Sequence, residues 1–223
     1  MNFDEIITEV QSVSLKIMGG FNPTPKDQAP ENCRTLLLIG PDEPNFWHQF
    51  KNSLEMQDGQ SNPMDRWSER VISALATKIE AKPIFPFQGP PYAPFYQWAL
   101  RTGEMHISPI RLLVHSQTGL FVSFRGAVAL DRKIQLPKAS PSPCQTCAAP
   151  CASACPVSAF DGDFYDVKAC QSHILTLDTK RCVSKGCAAR RQCPVGKERF
   201  RIPEQSAFHM DAFLSSVPTK ISL

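Results

Sequence analysis

Eight cysteines confined to fifty residues constrain this chain more than any other feature. Cys144, Cys147, Cys151, Cys155, Cys170, Cys182, Cys187 and Cys193 lie in its last third, and Cys33 stands alone far upstream. In a secreted protein such a set would read as four disulfides and a spare. The start, MNFDEIITEV, is acidic where a signal peptide would be basic and then apolar, and no apolar run approaches the roughly 18 residues of a membrane span. The expectation is therefore a cytoplasmic chain with no membrane association, in which thiols serve metal or redox chemistry rather than cross-linking. A formal net charge of +3 and a pI near 8.4 are too mild and too evenly spread to call for nucleic acid as a partner.

The spacing narrows the chemistry. One group runs Cys144-x2-Cys147-x3-Cys151-x3-Cys155-Pro156 and the other Cys182-x4-Cys187-x5-Cys193-Pro194, with Cys170 between them. Both end in Cys-Pro, and the residues between ligands are small, as they must be where backbone wraps tightly and aims its amides at sulfur. Runs of this type resemble those of bacterial two-cluster ferredoxins. There, three close thiolates hold one 4Fe-4S cluster and the fourth, before proline, reaches to the other. Carrying that wiring over assigns Cys144, Cys147, Cys151 and Cys193 to a first cluster and Cys155, Cys170, Cys182 and Cys187 to a second. The first run has one extra residue before Cys151 and the second group is stretched, so the count is better fixed than the partition. The alternative is a pair of structural zinc sites, for which Cys-x2-Cys is also the usual half-site; only one such pair occurs. Cys33, beside an apolar run, reads as a small core residue.

Composition divides the chain near Pro137. The segment Leu136-Pro137-Lys138-Ala139-Ser140-Pro141-Ser142-Pro143 holds the backbone extended and stops helix or sheet from continuing. The organisation expected is a larger domain over 1–136 and a small cysteine module with a C-terminal tail over 137–223. In the first, apolar residues from Phe3 to Ile17 predict a helix reaching Met18, Thr35-Leu36-Leu37-Leu38-Ile39-Gly40 a buried strand, and the segment after Pro44 a second helix. Trp67, Val71, Ile72, Leu75 and Ile79 predict an amphipathic helix capped by Asp65. Residues 83–96 pack five prolines and five aromatics into fourteen positions, a rigid loop suited to line a flat-ligand pocket, to meet a partner or to pack internally. Residues 111–115 and 120–124 flank Ser116-Gln117-Thr118-Gly119 as a β-hairpin. Together these give an α+β chain.

Several stretches are similar to one superfamily. Ala159-Phe160 after Cys155-Pro156, and Val167-Lys168-Ala169-Cys170, resemble the ferredoxin-like part of epoxyqueuosine reductases and reductive dehalogenases. Asn62-Pro63-Met64-Asp65, Ile107-Ser108-Pro109 and the run from Thr118 to Leu130 resemble its cobalamin-processing branch. The resemblance implies a nitroreductase-like α/β N-terminal domain followed by a two-cluster ferredoxin-like module that passes electrons to a cobalamin. The chain also departs from the pattern. It matches Ala99-Leu100-Arg101-Thr102-Gly103, but has Gln88-Gly89-Pro90-Pro91 where epoxyqueuosine reductases carry an acid in Val-Asp-x-x-Pro. Ser108-Pro109-Ile110-Arg111-Leu112 replaces their Gly-Lys-x-x-Leu, and the helical tail that helps hold tRNA is missing. Epoxyqueuosine reduction and tRNA binding are not expected, and the balance tilts away from bound cobalamin.

Three functions remain open at this level. One is an oxidoreductase of the cobalamin-handling type, in which two 4Fe-4S clusters deliver electrons to a ligand in the N-terminal domain. Another is a ferredoxin-like electron-transfer protein that exchanges electrons with a redox donor or acceptor protein. The third is a zinc-structured binding protein. No catalytic residue is assigned. Arg125 at a strand end reads as cover for the core edge, and His106, His115 and His173 as ordinary histidines rather than proton relays.

Overall fold

The computed structural model describes residues 1–161, 164–177, 179, 181–197 and 201–215. The chain is α+β and forms two compact units. One comprises residues 1–106 and 122–142, the other residues 107–121 and 143–223, so the 107–121 segment clusters with the cysteine-rich region. Among the described residues no helix is long and apolar enough to cross a membrane.

The first unit is built on a four-stranded antiparallel sheet in the order β1-β2-β6-β3, made of β1 (Leu15–Phe21), β2 (Thr35–Pro41), β3 (Lys82–Ile84) and β6 (Gly126–Leu130). β2 is buried along its whole length, pairing Leu37 with Val128 on one side and with Gly20 on the other. Helix α1 (Phe3–Gln11) starts at a reciprocal cap: the Glu5 amide donates to Asn2 Oδ1 at 3.0 Å, and the Asn2 amide donates to the Glu5 carboxylate at 2.7 Å. It buries Ile6 and Val10, one turn apart.

The helix expected to reach Met18 stops at Ser12, and β1 follows. A register shift between Ile17 and Gly19 breaks the strand's alternation, so Leu15, Met18 and Phe21 are buried at intervals of three. A bulged strand thus imitates a helical period.

Helix α2 (Asn45–Lys51) follows Pro44, and α3 (Leu54–Gln57) leads toward α4 (Pro63–Lys78). The cap of α4 is Asn62, in left-handed backbone with Pro63 at the first helical position, not Asp65. Asp65 lies within the first turn, 3.5 Å from the Arg125 guanidinium. Trp67, Val71, Ile72 and Leu75 face the sheet, each worth roughly 1.5–3 kcal/mol when fully buried. Trp67 meets Phe46 and Phe50 edge-on at 5.3 and 6.0 Å. In the proline-rich stretch, α5 (Phe95–Arg101) turns Phe95 and Trp98 inward and leaves Tyr92 and Tyr96 exposed.

β4 (Met105–Ile107) carries the chain onward to β5 (Leu113–His115). The hairpin expected beyond it is shorter than its sequence suggests. His115 and Gly119 exchange two backbone bonds of 2.9 and 3.0 Å, closing the turn, but 120–124 is not a strand. Pairing resumes only at β6, after the Arg125 amide has reached the Ile39 carbonyl at 2.8 Å. The second unit is otherwise short helices and turns: α6 (Val167–Thr176), α7 (Cys182–Lys185), α8 (Ala188–Arg191) and α9 (Pro203–Ser215). Ile174, Cys182 and Ala188 form a small core covered by Met210, Phe213 and Leu214 of α9.

Candidate metal centres

Inside the second unit Cys144, Cys147, Cys151 and Cys193 share one cavity, Cys155 and Cys187 lie close enough to Cys170 to act on its charge, and Cys182 sits in a small core with Ile174 and Ala188. Cys144, Cys147, Cys151 and Cys193 line one small cavity of about 10 Å³, with Ser108, Val114, Leu120 and Val195 among its walls. Cys151 and Cys193 are buried with Ile110, Val114, Leu120 and Ala189. Burial pushes the Cys151 thiol up, and the nearby thiols of Cys193, Cys144 and Cys147 push it further. The hairpin turn seats Cys193. Gly119 has a φ of +63°, and a Cβ placed there would stand 2.9 Å from Cys193 Sγ and 2.5 Å from the Val195 carbonyl oxygen. Only glycine lets the turn approach so closely.

The second group forms around α6. Burial also raises the Cys170 thiol, opposed by a hydrogen bond from Tyr165 and reinforced by the charges of Cys187, Cys155 and Asp166. Cys170 and Ile174 share one face of α6, and Ile174 packs on Cys182 and Ala188, the latter adjacent to Cys187. Asp166 anchors the helix by accepting the Ala169 amide at 2.8 Å. Tyr165 stacks on Phe160 at 4.7 Å, and burial together with the Cys170 thiol holds its phenol protonated well above the usual range. Arg190 lies close to Cys187 and Tyr165, and its guanidinium donates to the Leu120 carbonyl. Burial lowers its pKa and the Cys187 thiol opposes this, leaving a cation beside the group.

Backbone amides point at sulfur in both groups. Ala149, at φ +52°, donates to Cys147 Sγ at 3.4 Å, and Ala159, just after Ser158 at φ +50°, donates to Cys155 Sγ at 3.4 Å. The buried Ser108 hydroxyl on the first cavity makes no hydrogen bond within the protein. Donors of this kind stabilise thiolates. No two cysteines are joined in a disulfide. Sulfurs about 2.3 Å from a single zinc ion would stand about 3.8 Å from one another. Among the described residues no group of three or more Cys, His, Asp or Glu side chains is set to hold a metal ion, while the first four thiols line one cavity. A soft donor set around a volume can hold a polynuclear thiolate-bound centre.

The other residues singled out in the sequence lie elsewhere. Cys33 is in the first unit, its thiol donating to the Thr35 carbonyl at 3.4 Å. Arg125 is nearly buried against Asp65, and its Nε makes no hydrogen bond. His106 Nε2 is 3.0 Å from the Ser140 carbonyl oxygen. The buried His115 accepts the Gln117 and Thr118 amides at Nδ1 and shapes the hairpin turn, while His173 pairs with Thr179 at 3.3 Å. Sequence reasoning missed Tyr165, Arg190 and Gly119 as neighbours of the thiols. Tyr165 and Arg190 are close in sequence to Cys170 and Cys187, but proximity alone does not show which way a side chain turns.

No protein-family model matches the chain, and no curated protein is significantly similar to it.

Proposed function

We propose that the chain is an iron-sulfur redox protein of the cytoplasm that carries electrons through two 4Fe-4S clusters. Cys144, Cys147, Cys151 and Cys193 would hold one, and Cys155, Cys170, Cys182 and Cys187 the other. The observation that carries this reading is the first group: three thiols of one short run and a fourth, Cys193, from far along the chain, lining a single cavity with an amide aimed at one of their sulfurs. A cubane fills a volume and takes one cysteine at each iron, whereas a zinc ion asks its four thiolates to meet at a point. The clusters would supply one-electron steps, and the protein contributes burial, hydrogen bonds to sulfur and nearby charge.

The second unit is on this reading a ferredoxin-like module. The first carries a nitroreductase-like fold of the cobalamin-processing type, with electrons passing to a ligand there or to a partner protein. The test is spectroscopic. Protein purified without oxygen and reduced with dithionite should give electron paramagnetic resonance signals of two magnetically interacting reduced clusters. A single uncoupled signal would mean that one ligand set has been misassigned, and no signal would end the reading. Corrin bands with stoichiometric cobalt in the same sample would make the protein a cobalamin-dependent or cobalamin-processing reductase.

A further inference from the structure

A cleft of about 570 Å³ opens beside Cys155, bordered by Ser153, Thr179, Arg181, Lys185 and Arg191. Among the described residues three cations line it and no carboxylate does. The imbalance extends along the chain: from Thr179 to Lys197 there are six lysines and arginines and no acid, and from Pro143 to Phe160 there is no charged residue. Arg181 and Lys185 are exposed, and Arg191 is anchored by its Nε donating to the Gly186 carbonyl at 3.0 Å. The described rim is therefore positive, and the lining includes a cysteine whose sulfur accepts the Ala159 amide.

We infer that this cleft is where an acidic face of a redox partner protein docks to exchange electrons at the Cys155 end of the second site. The inference rests on the iron-sulfur reading above and adds the partner's chemistry and the point of entry. Buried thiolate-bound clusters exchange electrons with other proteins only over short distances, so a docking face must lie over a ligand. Of the two cysteine groups, the first lines an enclosed cavity with apolar walls, whereas a cysteine of the second borders an open cationic cleft. A one-signed rim attracts an oppositely charged protein from solution and raises its association rate by 10-fold to about 1,000-fold, an effect that salt removes. An open shape and exposed cations at the rim suit a protein face.

The test is stopped-flow reduction of the cluster-loaded full chain by photoreduced flavodoxin, an acidic one-electron donor, with methyl viologen radical cation as a small control donor. Each donor gives up one electron, which the second cluster accepts, and no bond is formed or broken. Raising ionic strength from about 0.01 M to about 0.15 M shortens the screening length from about 30 Å to about 8 Å and should slow the flavodoxin reaction at least tenfold. The double variant Arg181→Glu/Lys185→Glu should lose about tenfold at low salt and flatten the salt dependence. Arg181→Gln/Lys185→Gln should fall between, and both variants should react with methyl viologen at rates at least equal to the unaltered chain's.

Flavodoxin rates indifferent to salt and to both variants, in a chain that viologen reduces normally, would overturn the docking site alone. Loss of the flavodoxin rate on adding inorganic phosphate at constant ionic strength would also overturn it, in favour of a small-anion site. A chain that neither donor reduces would remove the iron-sulfur reading, and this inference with it.

Discussion

The two cysteine groups share a donor set and differ in almost everything around it. The first is enclosed by Ile110, Val114, Leu120 and Val195, and Ser108 is the hydroxyl on its wall. The second has the Tyr165 hydroxyl on Cys170, the Arg190 cation beside Cys187 and a cleft rimmed by Arg181, Lys185 and Arg191 at Cys155. Adding an electron to a cluster adds negative charge. Apolar walls raise the cost of that step, while cations and O–H donors lower it. On the two-cluster reading, identical thiolates in these two settings would hold clusters of different potential, the second being the easier to reduce. On that reading, ligand spacing sets how many centres the chain would hold, and the groups around the thiols set which way electrons would run.

The comparison can be broken most severely by removing ligands. Cys151→Ala should abolish the first cluster and leave the second, and Cys170→Ala should do the reverse. Each variant should retain about half of the iron and the resonance of the surviving centre alone. If either variant loses all its iron, the two groups are not independent sites.

Gly119→Ala strikes only the first group. A side chain at φ +63° costs about 1–2 kcal/mol, and its Cβ would also collide with Cys193 Sγ and the Val195 carbonyl. Denaturant unfolding should show a loss of about 2 kcal/mol or more, with iron lost first from the first site.

Smaller effects sharpen the contrast in potential. Arg190→Gln removes the cation beside Cys187 and should lower the second site's potential by about 60 mV, a tenfold change in a one-electron equilibrium. Tyr165→Phe removes one hydrogen bond to Cys170 and keeps the ring stacked on Phe160; it should lower the same potential by about 30 mV. Redox titration followed by electron paramagnetic resonance reads both. In each variant the first site's potential should stay within about 10 mV of its starting value.

Much of the site was open to reading from the sequence because its signals are local. Cys-x2-Cys, the Cys-Pro endings and the small residues between them are short-range demands of wrapping backbone around sulfur, and Ala149 and Ala159 carry them out. The β2 strand and the α4 helix were legible for the same reason, through apolar runs and periods. What failed depended on tertiary structure. The bulge in β1 gave a strand the burial spacing of a helix, and the residues after Gly119 stay unpaired although their composition favours a strand. Asp65 looks like a cap in isolation, yet Asn62 with Pro63 starts the helix and leaves Asp65 to meet Arg125. Tyr165, Arg190 and Gly119 reach the thiols only once the chain has folded, and no spacing rule encodes that.

The most direct measurement is the content of iron, acid-labile sulfide and zinc per chain in protein purified without oxygen. About eight iron and eight sulfide with negligible zinc is the result predicted for two 4Fe-4S clusters. Stoichiometric zinc without labile sulfide would contradict the account and leave a zinc-stabilised binding protein in its place.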